Sequence, residues 1–81
     1  MTIEEALKIV EDTEANYYLN QTILRGLQIL AKYDEVLDCS FEHDQMWVGD
    51  FEATVAKMDK DEVWEMARLG WFEADDGWSH W

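Results

Sequence analysis

The apolar residues of this chain change their spacing at about residue 34, and no single type of element accommodates both patterns. Ile3, Ala6, Leu7 and Val10 fall at i, i+3, i+4 and i+7, which at about 100° per residue gathers them on one helical face. Leu37, Cys39 and Phe41 instead alternate with Asp38, Ser40 and Glu42, the period of a strand with one buried face. A chain written this way is expected to be α+β: two N-terminal helices, a β-hairpin, a third helix and a C-terminal β-hairpin, the strands forming a small antiparallel sheet packed on the helices.

Local signals place the elements. Thr2 with Glu5 forms a capping box, so the first helix starts at about Ile3. A second stripe, Leu19, Ile23, Leu27 and Leu30, would lie roughly 140° to 180° around a continuous helix from the first, so a break is expected between Asp12 and Asn16 and a second helix from about Ala15 to Tyr33. Gly26 within it implies close approach of another backbone. His43-Asp44 joins the alternating segment to Gln45-Met46-Trp47-Val48 as a hairpin, which Gly49-Asp50 ends. Residues 51 to 57 fit a helical turn through Phe51, Val55 and Met58, or a strand through Phe51, Ala53 and Val55; a short helix is favoured.

Asp59 with Glu62 repeats the capping signature, Val63, Met66 and Ala67 form an apolar stripe, and Gly70 stands where a left-handed helix stop belongs, with Trp71 placed to touch Met66. The second hairpin follows, with Asp76-Gly77 as its expected type I′ centre. Trp64 and Trp71 are expected in the core, and Cys39 as a buried, inert thiol beside Leu37 and Phe41. Trp47, on an expected edge strand, and Trp81 are the tryptophans left to anchor a partner.

Charge changes where the period does. The first 33 residues carry five acids and three bases, whereas residues 34–81 carry fourteen acids against Lys57, Lys60 and Arg68 alone. The net charge of −13 on 81 residues exceeds the magnitude of about 2–8 that solubility calls for in a small domain. Such a field repels nucleic acid and anionic membranes and favours a basic partner. With 48 % apolar residues and five Trp the chain is too hydrophobic for a disordered acidic tail, and its length suits one domain, residues 1–81. A lone cysteine excludes an internal disulfide and a Cys-rich zinc site. The N-terminus lacks a signal-peptide pattern and no apolar run approaches the ~20 residues of a membrane span, so a soluble, cytoplasmic chain is expected. Glu42-His43-Asp44 and His80 lack the spacing of a metal site, no nucleophile pairs with either His, and no phosphate-cradling loop exists; no catalytic, cofactor or metal residue is expected.

Chemistry therefore resides in the carboxylates. Asp59, Asp61, Glu62 and Glu65 share the third helix at spacings that bring carboxylates together, and Asp61, Glu62 and Glu65 are expected to face water. Glu73, Asp75 and Asp76 and, from the first hairpin, Glu42 and Asp44 extend the set, with Asp34, Glu35, Asp38, Asp50 and Glu52 adding acids at edges and turns. A row of carboxylates spaced like phosphates fits the Lys/Arg groove of a nucleic-acid-binding protein. The plainer reading is a solvated surface, and the Leu19–Leu30 stripe offers a homodimer contact instead.

Phe41-Glu42-His43-Asp44-Gln45-Met46-Trp47-Val48-Gly49, the acidic capped helix ending Leu69-Gly70-Trp71, and Asp75-Asp76-Gly77-Trp78 together resemble small uncharacterised acidic accessory proteins of tailed bacteriophages. The resemblance spans residues 41–81. It implies a phage accessory gene acting in the bacterial host, a setting in which small acidic proteins disable host defence nucleases or redirect host polymerases.

Overall fold

The computed structural model describes residues 1–19, 21–34 and 37–81. The chain is α+β: α1 (Ile3–Asp12), α2 (Thr22–Ala31), β1 (Cys39–Glu42), β2 (Gln45–Val48), α3 (Phe51–Val55), α4 (Lys60–Arg68), β3 (Phe72–Ala74) and β4 (Gly77–His80). Two hairpins join through their inner strands, giving an antiparallel sheet in the order β1-β2-β4-β3. Along β2, Met46 and Val48 are buried while Gln45 and Trp47 are half-buried, so one face of the sheet meets the helices and the other stays open.

The capping boxes at Thr2 and Asp59 form as their spacing predicts, and α3 takes the helical alternative for residues 51–55. At the end of α4, Gly70 has a φ of 92°, its N–H donates to Ala67 O, and the Trp71 N–H donates to Met66 O. This is a Schellman stop, which a side chain at position 70 would strain. It turns Trp71 into the core, where its Nε1 donates to Thr22 O at 3.1 Å. A Cβ on Gly26 would lie 2.1 Å from Trp71 Nε1, so the close approach at Gly26 is to an indole ring and not to a backbone. Trp78, equally buried, packs against Phe51 with ring centroids 4.6 Å apart and donates from Nε1 to Thr54 Oγ1.

The second helix is shorter than its stripe implies. It begins at Thr22, because Gln21 at φ 57° is left-handed and Asn16 is held outside a helix: its N–H donates to Arg68 O at 2.7 Å, and its Oδ1 accepts from the Tyr18 N–H. Leu30 is fully buried and Leu19 and Leu27 pack on the core, but Ile23 is exposed. Trp64, expected inside, is 46 % exposed, since Val63, Met66 and Ala67 already occupy the core face and the Trp64 ring lies beside the Arg68 guanidinium, 4.8 Å from its centroid. The C-terminal turn spans Ala74 to Gly77 as expected, but its centre lies one residue earlier than Asp76-Gly77: Asp75 and Asp76 are left-handed at φ 51° and 66°, and Gly77 begins β4.

The largest departure is at β1. Cys39 and Phe41 point to the helical side of the sheet as alternation requires, yet every residue of β1 is exposed, and Phe41 is 72 % so. The core ends at β2, and beyond it Phe41 borders an open depression together with Ile23 of α2, itself exposed. The expected buried thiol is thus an exposed one, and Trp47 lies on an inner strand because β2 is flanked by both β1 and β4. Among the described residues no helix is long and apolar enough to cross a membrane.

Candidate acidic interface

The ten residues expected to bind a partner divide into two groups with different surroundings. On α4, the carboxylates are engaged by the chain itself. Asp59 is the N-cap and accepts from the Glu62 N–H at 2.8 Å. Glu62, expected to face water, is nearly buried, with 13 % of its side chain exposed; it accepts from Tyr33 Oη, from Lys32 Nζ at 3.0 Å and from the Asp59 N–H. Burial pushes its carboxyl upwards, but the bonds from Tyr33 and Lys32 outweigh this and hold it below the usual carboxylate value, while the same contact drives the Tyr33 hydroxyl up to about 12. Glu65 pairs with Arg25, and Asp61 borders a groove between α1 and α4 that it shares with Lys8 and Lys60. The helix chosen from the sequence as an acidic face is largely neutralised.

The other group collects where the two hairpins meet. The Phe51 N–H donates to Asp76 O at 2.8 Å, and a Cβ on Gly77 would come within 3.0 Å of Gly49 O, so the β3–β4 turn is pressed against the segment that leaves β2. Two adjoining depressions result. A groove of about 430 Å³ runs along β1 and is lined by Asp38, Ser40, Glu42, Trp47 and Asp75. A smaller one of about 240 Å³ brings Glu73 and Asp76 together with Asp50 and Glu52. Neither contains a Lys, an Arg or any residue of α4. Asp44 follows at the β1–β2 turn beside His43, whose Nε2 lies 3.9 Å from Glu42 Oε1.

Asp38, Asp50 and Glu52 belong to this surface although the sequence marked them only as members of the wider acidic set; Glu35 lies outside the described residues. Their one sequence signal is position around Gly49. Among the described residues no group of three or more carboxylates, histidines or thiols converges to hold a metal ion. Trp47 borders the same groove, and its indole N–H is buried without a hydrogen-bond partner among the described residues. His80, considered with His43 as a metal ligand, is buried with its ring nitrogens against Leu69 O and Trp81 O at 2.9 and 2.7 Å.

Compared with known proteins, the chain matches no family model, no curated protein and no solved structure.

Proposed function

We propose that this chain is a non-enzymatic acidic interaction protein that occupies a basic, nucleic-acid-binding surface of another protein, in the manner of a phage-encoded inhibitor or modulator of a host defence nuclease complex. The observation that carries the reading is the segregation of charge within the fold. Lys8, Arg25 and Lys32 are paired with acids of the helices, whereas the acids around the β1 groove and the β3–β4 turn have no Lys or Arg among them. An uncompensated carboxylate surface of this kind steers towards cationic grooves and competes with phosphates for the same Lys and Arg side chains. Such a partner places the chain in the cytoplasm of a bacterial host.

The alternative, a homo-oligomeric structural or virion-assembly module, relies on the Leu19–Leu30 stripe. That stripe is mostly committed to the chain's own core, which leaves Ile23 and its neighbour Leu24 for a homodimer. Affinity capture from a bacterial lysate separates the two readings. The acidic reading expects a nucleic-acid-binding protein that is retained at low salt and released by high salt or by duplex DNA. Salt-resistant recovery of the chain itself, with no DNA-displaceable partner, overturns it.

A further inference from the structure

We propose that the open edge of β1 takes up an extended cationic segment of the partner as an added strand, its lysines or arginines facing Asp38 and Glu42 and an apolar side chain covering Phe41. The inference rests on the acidic reading above and assigns it a mode of recognition.

The backbone supplies the first part. The Gly49 N–H donates to Asp38 O at 2.9 Å, and Asp38 and Gly49 continue the β1–β2 register beyond Cys39↔Val48. Hydrogen-bonded and non-bonded pairs alternate in an antiparallel ladder, so Ser40 and Glu42 also direct their N–H and C=O groups to β2. Those of Cys39 and Phe41 then point outward, and no described residue bonds to them. An unpaired row of this kind is a template for strand addition. The opposite edge is a poorer one: β3 has three half-buried residues, and α1 packs against it.

The side chains then select the occupant. Asp38, Ser40 and Glu42 stand on the open face above the groove that Trp47 and Asp75 border, so an incoming strand meets carboxylates at alternate positions there. On the helical side it meets Phe41, which is largely exposed. A second copy of β1 is a poor fit. Antiparallel pairing that preserves both faces and centres on Ser40 sets Asp38 opposite Glu42 twice, and centring on Phe41 sets Asp38 opposite Asp44 twice; like charges directly across a ladder repel. A strand alternating basic and apolar residues avoids this conflict in every such register.

The test uses synthetic peptides of alternating Lys and Val, one unmodified and one N-methylated at every residue so that it keeps its charge but can pair along neither edge, with binding measured by calorimetry and backbone amides followed by NMR. The unmodified peptide should bind and slow hydrogen exchange at Cys39 and Phe41, and N-methylation should weaken it about tenfold or more, since several backbone hydrogen bonds are lost together. Phe41→Pro removes an outward N–H without touching the β1–β2 ladder, a substitution edge strands tolerate. With one donor lost it should weaken the unmodified peptide several-fold, while Phe41→Ala retains most of the affinity. Equal binding of the two peptides overturns strand addition whether or not Phe41→Pro folds. If Asp38→Lys with Glu42→Lys still abolishes that binding, the acidic reading survives; if neither peptide binds, or charge reversal also has no effect, both fall.

Discussion

The seam where α4 meets α2 and the outer edge at β1 use the same residue types to opposite ends. At the seam, Glu62 and Glu65 are tied to Tyr33, Lys32 and Arg25, and Trp71 is locked between Gly26 and Thr22. At the edge, Asp38 and Glu42 have no Lys or Arg in their groove, and Phe41 stands in solvent. Carboxylate density along the sequence is therefore a poor locator of a binding surface.

The largest contrast expected is between the two aromatic side chains. Trp71→Ala empties a fully buried site and strands the Thr22 carbonyl, a loss of about 3–5 kcal/mol, comparable to the whole stability of a domain this small. Phe41→Ala should change stability by less than about 0.5 kcal/mol, as surface substitutions do. Chemical denaturation of both variants checks this, and equal losses would erase the distinction between seam and edge.

Next in size is Glu62→Gln, which exchanges a carboxylate receiving charge-assisted bonds for an amide. It should destabilise by about 1–3 kcal/mol, and Glu42→Gln by nearly nothing. Proton linkage sharpens the same contrast. The Glu62 carboxyl is held below its ordinary value of 4.5, so its contribution is complete at neutral pH and is lost as pH falls through the acid range below that value. The Tyr33 hydroxyl is raised from 10.0 to about 12, so its contribution is present below pH 10 and is lost as pH climbs towards 12. Thermal melts of wild type and Glu62→Gln should therefore converge at both extremes and differ most between them. A difference independent of pH would deny the Tyr33–Glu62–Lys32 contact its role.

The smallest effect on stability is expected from reversing the edge acids. Asp38→Lys and Glu42→Lys each relieve repulsion and break no described contact beyond the long His43–Glu42 pair, so melting points should stay level or rise slightly at low salt. A marked fall would mean that these acids, too, belong to the fold.

Much of the architecture was legible because its signals are local. Thr2 with Glu5, Asp59 with Glu62, and Gly70 each announce a helix terminus within a few residues, and period alone separates helix from hairpin. The misplaced parts depend on partners distant in sequence. Glu62 reads as solvent-facing until Tyr33 and Lys32, some thirty positions earlier, are brought against it. Trp47 reads as an edge residue until β4 pairs with β2, and Cys39 reads as buried until the core proves to stop one strand short. The candidate surface was half visible for the same reason: Glu42, Trp47, Asp75 and Asp76 were named, but it takes the β1–β2 register and the contacts of Gly49 and Phe51 with the Asp76-Gly77 turn to draw Asp38, Asp50 and Glu52 beside them.

Whether the acids that lack a Lys or Arg partner at the hairpin junction form a binding surface is decided by calorimetric titration of the unmodified Lys-Val peptide against two triple variants of equal net charge. One carries Asp38→Lys, Glu42→Lys and Asp75→Lys; the other carries Glu4→Lys, Glu11→Lys and Glu14→Lys, all exposed positions in or beside α1. The first should lose affinity by about tenfold or more and the second by far less, because close charge pairs couple strongly while distant ones are screened. Equal losses in the two variants would contradict this, leaving only the bulk charge of the chain.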